Sequence, residues 1–209
     1  METSNGFIAL GNALFLIAVT MRADRLRLSR ELSLLLALLM LIGAVIGARL
    51  LYLVLHEISF GVGLSLLSAH RGGFSYIGAI MGAALMLLFF ARILRKSALI
   101  LGGEIAPIWC LMSALWRVRC HFAGCCHGST TSNAFFTGFG AFTHSGAPKQ
   151  IPLPAVEVVF LLLLSLWLSK GSAKIAAEYR LNDENRCSLV VGSYFAAYSL
   201  FRVIAEYWR

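Results

Sequence analysis

Twelve consecutive residues, Arg117-Val-Arg-Cys-His-Phe-Ala-Gly-Cys-Cys-His-Gly128, hold two arginines, three of the chain's five cysteines and two of its five histidines. Arginine carries a permanent charge on a planar fork that matches phosphate oxygens in pairs. A cysteine becomes a nucleophile once its proton is gone, and a neighbouring cation favours that loss. Histidine is the ordinary base for such a proton. The segment thus offers an anion grip in Arg117 and Arg119, thiols in Cys125 and Cys126, and two bases in His121 and His127. The cysteines admit other readings. Their spacing is not that of a zinc ribbon or finger and no CxxC is present, so neither a metal nor an organic cofactor is expected. The adjacent pair closes only a strained, labile ring disulfide. Small thiols packing a tight helix-to-loop turn would account for the segment equally well. Cys110 and Cys187 read as packing or loop residues.

A second polar group closes the chain, Phe201-Arg-Val-Ile-Ala-Glu-Tyr-Trp-Arg209. On a helix Arg202, Glu206 and Arg209 share one face. An arginine inside an apolar helix costs at least about 2.5 kcal/mol, so it faces protein, water or a partner charge. Glu206 can orient Arg202, while Arg209 reads as an interfacial anchor with Tyr207 and Trp208. Arg117 and Arg202, on different helices, can grip one phosphate between them, and Arg49 with Tyr52 adds a cation and a phenol. Phospholipid head groups supply phosphates at that depth.

The elements that must position these residues are membrane helices. The chain has 209 residues, 59% hydrophobic and 13% charged, with a mean hydropathy of +0.79. Apolar runs at 7–21, 32–55, 74–91, 99–116, 151–169 and 189–207 approach the roughly 20 residues that cross a bilayer. Continuous rather than alternating runs select helices over a barrel. The expected fold is therefore all-α, a polytopic bundle of about six transmembrane helices in a single domain, 1–209. The first run carries Glu2 ahead of it and its basic residues behind it, which is not the pattern of a signal peptide.

The net charge of +8 first reads as a nucleic-acid signal, but its distribution excludes one. Eleven of the 18 basic residues fall in alternate loops, at 22–30, 92–96 and 170–186. The positive-inside rule puts those loops in the cytoplasm and both termini outside, with the charge meeting anionic lipid. The remaining seven, with all five histidines (His56, His70, His121, His127 and His144), fall at the outer helix ends, which expects a site at the outer leaflet. The segment 129–150, with Phe135, Phe136, Phe139 and Phe142, reads as an external loop dipping into the interface, either a gate or a passive anchor. Gly43/Gly47 and Gly78/Gly82 have the spacing that lets helix backbones approach closely. Gly72-Gly73 allows a close backbone approach to a ligand.

Four segments in order carry a family resemblance: Gly47-Ala-Arg-Leu-Leu-Tyr52, Gly72-Gly-Phe-Ser-Tyr-Ile-Gly78, Ile105-Ala-Pro107 through Gly128, and Phe201 through Arg209. Together they resemble the prolipoprotein diacylglyceryl transferase family, whose members move a diacylglyceryl group from phosphatidylglycerol to a cysteine thiol of a lipoprotein precursor. The resemblance implies a bacterial inner-membrane transferase with its active site facing the outer leaflet. It implies that Arg117 and Arg202 are the essential head-group arginines, that Arg49 and Glu206 support them, and that Gly128 closes the signature. The family's histidine in the second segment falls on Ile77, its signature asparagine falls on Cys120, and a later motif persists only as Pro152 and Glu157. The external head region is short and a seventh helix has no counterpart. The expected activity is transfer of a diacylglyceryl or other lipid-derived group from an anionic phospholipid to a thiol or other acceptor, such as a lipoprotein. Two alternatives stand beside it: a lipid transferase in which Cys125 or Cys126 is a covalent nucleophile that carries the lipid group before passing it to a non-lipoprotein acceptor, and a non-catalytic lipid-binding membrane subunit.

Overall fold

In hydrocarbon every backbone N–H and C=O must be satisfied within the chain, so each apolar run closes on itself as a helix. The computed structural model describes residues 2–55, 74–130 and 150–208. Gly72, Gly73, Arg71, His56, His70, His144, Lys149, Arg209 and the interior of the 129–150 loop lie outside them. The helices are α1 (Glu2–Met21), α2 (Ala23–Leu26), α3 (Arg30–Leu55), α4 (Tyr76–Ile93), α5 (Ala98–Phe122), α6 (Leu153–Leu166), α7 (Ser172–Glu178) and α8 (Asp183–Tyr207). A π-helical turn, Trp167–Gly171, joins α6 to α7. Among the described residues five helices are long and apolar enough to span a membrane, α6 to α7 counting as one, and Gly6–Met21 is a shorter apolar helix. The faces left exposed are apolar: Leu85, Phe89, Leu163 and Val203 are each 60–71% exposed. On a water-soluble protein such surfaces would drive aggregation; here lipid covers them, and the protein is a multi-pass membrane protein.

The described residues form two compact units, Met1–Ala18 with Gly102–Arg209, and Val19–Leu101. In the second unit the glycine pairs do what their spacing predicts. A Cβ on Gly47 would strike the carbonyl oxygen of Gly78, one on Gly78 that of Gly47, and one on Gly82 that of Gly43. The backbones of α3 and α4 therefore touch, with nothing but hydrogen atoms between them. Ser75 caps α4 by accepting from Gly78 N (3.4 Å), and its own N–H donates to Ala48 O (3.1 Å), tying the start of α4 to α3.

In the first unit, polar bonds and close approaches hold α1, α5, α6 and α8. Trp116 Nε1 donates to Asn12 Oδ1 (3.2 Å), and Phe15 meets Trp109 edge to face at 5.8 Å. Ser165 Oγ on α6 donates to Pro107 O on α5 (2.8 Å), a buried interhelical bond. Glu104, buried on α5, takes Arg186 of α8 as its ion partner, and beside it Gly103 lies so close to Cys187 that a Cβ would stand 2.7 Å from that residue's Cα.

Three helix boundaries differ from those read off hydrophobicity, for one reason. Helix propensity does not end where apolarity ends, since arginine and lysine are good helix formers whose stems bury while their heads reach out. Hydrophobicity ends the fourth run at 116, yet α5 continues to Phe122 and carries Arg117, Arg119, Cys120 and His121. Lys170, Lys174 and Arg186, assigned to a loop from sequence, lie on the π turn, on α7 and on α8. At the ends of α2, α4 and α7 the chain reverses through a residue with positive φ, Arg27 (55°), Arg95 (52°) and Arg180 (49°). Each reversal carries the paired i→i−3 and i→i−5 backbone bonds of a Schellman cap, such as Arg95 N to Arg92 O and Lys96 N to Ala91 O. An L-residue there costs about 1–2 kcal/mol; a cation at a helix C-terminus offsets part of it.

Candidate active site

The last turns of α5 present Arg117 to the first turns of α6. There Pro152 and Pro154 start a helix whose first buried polar side chain is Glu157, 3% exposed. Arg117 Nε lies 3.0 Å from Glu157 Oε1. On α8 Tyr198 donates its hydroxyl to the same oxygen at 2.9 Å. A buried carboxylate is tolerated only with such partners, because leaving it uncompensated costs several kcal/mol. Arg117, Glu157 and Tyr198 are thus one network drawn from three helices.

One turn beyond Tyr198 on α8 stands Arg202, with Glu206 a further turn along at 3.6 Å. Glu206 is largely exposed, so this pair orients Arg202 more than it stabilises the fold. The Phe160 and Phe201 rings, stacked at 4.3 Å, bind α6 to α8 beneath the arginine. Arg117, Glu157 and Arg202 all line one small cavity open to the surface, whose remaining wall is Cys126, Leu153, Pro154, Phe201 and Ala205. It combines two cations, one carboxylate, one thiol and an apolar floor, a composition suited to a phosphate joined to a lipid.

The chain beyond α5 straps this cavity. Gly128 N donates to Ile151 O (2.9 Å), Ser129 N to Trp208 O (2.9 Å) and Ile151 N to Ser129 O (3.1 Å), and Thr130 bridges to Gln150. A Cβ on Gly128 would press on Trp208 O and lie 3.1 Å from Ile151 Cβ, so this glycine lets the strap lie against the ends of α6 and α8. Gly128 is thus a packing residue of the strap, outside the cavity lining.

Most of the remaining sequence candidates do not line this cavity. Cys126 lines the cavity, while Cys125 Sγ turns to the carbonyl of Cys120 at 3.5 Å. Burial pushes the Cys125 thiol above its ordinary pKa and Cys126 adds to the shift; Arg119 opposes both without reversing them. The net direction is opposite to the activation expected from the neighbouring cations, and Cys125 holds less thiolate at neutral pH than a free cysteine. His121 and His127 face each other with ring centres 6.2 Å apart, and neither ring lines the cavity. Arg119 Nε is buried without a hydrogen-bond partner among the described residues. In the other unit Arg49 is buried, with its guanidinium carbon 5.9 Å from the Tyr52 ring centre and 5.8 Å from that of Phe74.

Sequence reasoning noted Glu157 only as a motif remnant and passed over Tyr198. The available signal was an acidic residue on the first turns of an apolar helix, which needs a partner at that depth. Glu157→Gln keeps an acceptor for Tyr198 and removes the charge facing Arg117. It is expected to fold and to lose roughly tenfold in turnover, about 1.4 kcal/mol. Initial rates alongside thermal melts check this, and an unchanged rate would show that Arg117 needs no carboxylate.

Comparison with known proteins bears on what this geometry serves. Residues 6–209 match the family model described as prolipoprotein diacylglyceryl transferase. The chain is 26% identical over 209 residues to a protein of Clostridium tetani (strain Massachusetts / E88) named phosphatidylglycerol–prolipoprotein diacylglyceryl transferase, covering 97% of this chain and 78% of that one. A protein of the same name from Rickettsia rickettsii (strain Sheila Smith) is 27% identical over 172 residues, 80% of this chain and 62% of its own length. A Clostridium perfringens (strain 13 / Type A) protein, given that name with the number 2, is 26% identical over 176 residues, 82% of this chain and 64% of its own. The chain thus spans under two thirds of the length of two of these three relatives.

Proposed function

We propose, because the chain belongs to the prolipoprotein diacylglyceryl transferase family, that it transfers the diacylglyceryl group of phosphatidylglycerol to a thiol acceptor such as a lipoprotein precursor. The observation that carries the reading is the convergence of Arg117 and Arg202, from separate helices, on one cavity with an apolar floor. The lipid phosphate would lie between the two guanidinium groups and the acyl chains would run out over the lipid-facing surfaces. The acceptor's thiolate attacks the glyceryl carbon bonded to the phosphate oxygen; the C–S bond forms, the C–O bond breaks and glycerol phosphate departs. Charge builds on the departing oxygens, and preorganised cations aimed there are usually the largest source of acceleration. The thiol proton needs a base, and the candidate is His127, next to the cavity residue Cys126, with His121 as its neighbour. The same reading places the protein in the bacterial inner membrane with this cavity at the outer leaflet and both termini outside.

Cys126 in the cavity wall favours a second reading, in which it is the nucleophile. Its attack would leave a diacylglyceryl thioether and free glycerol phosphate. A thioether does not surrender its carbon to a second thiol, so Cys126 would be a terminal acceptor and not a relay. The test is to incubate the purified protein with phosphatidylglycerol labelled in its glyceryl backbone and a peptide bearing one cysteine. Labelled peptide and an equal amount of glycerol phosphate are expected, and a Cys125→Ser/Cys126→Ser variant is expected to retain transfer. A lipid adduct on the protein's own peptide, with none on the acceptor, establishes the second reading. Bound phospholipid with no product from any thiol or hydroxyl acceptor overturns both in favour of a lipid-binding subunit.

A further inference from the structure

In the first of these readings the three cysteines of the opening segment take no part in the chemistry. Their sulfurs, on Cys120, Cys125 and Cys126, all lie within 4.8 Å of one another. Four residues separate Cys120 from the adjacent pair in the sequence, and the fold closes the distance. α5 ends after Phe122, and the chain reverses at Gly124 (φ 66°), with Gly124 N bonded to His121 O (3.2 Å) and Cys125 N to Cys120 O (3.1 Å). That is a Schellman cap, and it carries Cys125 back over Cys120. Cys126 then adopts φ 64°, a left-handed conformation that a residue with a β-carbon rarely takes. Strain of this kind persists where surrounding structure enforces it, and it collects at ligand clamps.

We propose that Cys120, Cys125 and Cys126 form a three-sulfur site for one monovalent copper ion at the C-terminal end of α5. Metal–sulfur bonds near 2.3 Å around one ion would hold the three sulfurs about 4 Å apart, a small contraction from the spacing present. Thiolates select soft ions, monovalent copper first among the candidates. Zinc takes four ligands in structural sites, and among the described residues no histidine or carboxylate atom joins the three sulfurs. Three thiolates and one monovalent cation leave two negative charges. Arg119 lies within electrostatic range of Cys125, and Arg117, which also serves Glu157, within range of Cys120, so the surroundings offset part of that charge. Binding releases the three thiol protons and leaves the oxidation state of copper unchanged.

The site borders the transferase cavity through Cys126 but does not rest on the transferase reading, and its test reads metal, not turnover. The full chain, purified in detergent and reduced, is titrated anaerobically with monovalent copper against a chromophoric chelator. One tightly held equivalent is expected, with a sulfur-to-copper charge-transfer band in the near ultraviolet and three sulfur neighbours by X-ray absorption. Cys120→Ser, Cys125→Ser and Cys126→Ser are each expected to weaken binding by more than the roughly 10- to 100-fold that loss of a supporting residue costs. Cys187→Ser, in the same unit but not in the cluster, is expected to bind normally. Absence of tight binding by the reduced unmodified chain, or a shell of only two sulfurs, overturns the proposal whether or not the serine variants fold. Binding that survives loss of any one of the three cysteines overturns it as well, and zinc displacing stoichiometric copper overturns the choice of ion.

Discussion

Arg202→Ala is expected to reduce lipid transfer by about 10²- to 10³-fold, roughly 2.7–4 kcal/mol, while leaving the fold nearly as stable as before. The asymmetry follows from its partner. Glu206 is largely exposed, so it is resolvated when Arg202 goes. Arg117→Ala removes a cation from the same cavity but also strands Glu157, whose side chain is 4% exposed. Breaking a buried pair by deleting one member costs about 3–5 kcal/mol. This variant should therefore lose both transfer and several degrees of thermal stability, with the Tyr198 hydroxyl left to serve the carboxylate. Arg117→Lys separates the two effects: it keeps the charge for Glu157 and loses the paired geometry for phosphate, so stability should recover and rate should not. Initial rates and melts of the three variants check the scheme. Full activity in either alanine variant would sink the two-arginine grip.

The second large effect concerns folding. Gly47→Ala and Gly82→Ala should each destabilise the α3–α4 pair by about 1–3 kcal/mol or more, since overpacking is met here by backbone and not by a yielding side chain. On Gly47 the new carbon would meet Gly78 O and stand 2.8 Å from Gly82 Cα; on Gly82 it would meet Gly43 O and stand 3.0 Å from Gly47 Cα. Gly192→Ala is the control. Nothing lies within 4 Å of its added carbon, and alanine is favoured over glycine in a helix by up to about 1 kcal/mol. Melting temperatures in detergent should fall for the first two and hold or rise for the third. Equal stability in all four proteins would mean that α3 and α4 do not depend on backbone contact.

Chemistry that can be counted along one dimension is legible in the chain itself. Continuous apolar runs dictate helices in lipid, because no other open structure satisfies the backbone there. Small residues four apart on α3 and α4 dictate a close crossing, since the spacing alone puts them on one face. Arg202 and Glu206, also four apart, pair for the same reason. Arg117 was legible because a charge at the end of an apolar helix needs a task. The true end of α5 was not legible, because the residues that stop being apolar at Arg117 do not stop being helical until the glycine reversal at Gly124.

The tertiary structure decided which of these residues meet. Glu157 and Tyr198 are 41 positions apart, and only the packing of α6 on α8 brings the hydroxyl to the carboxylate that Arg117 also holds. Cys126 belongs to the cavity wall while His121 and His127 do not, although all three sit within seven residues. The three sulfurs converge because a Schellman cap folds the chain back by five residues, bringing Cys125 over Cys120. Helical period is local and can be counted along a chain. Contact between helices depends on how whole faces fit against one another, and in this protein those contacts assemble the site.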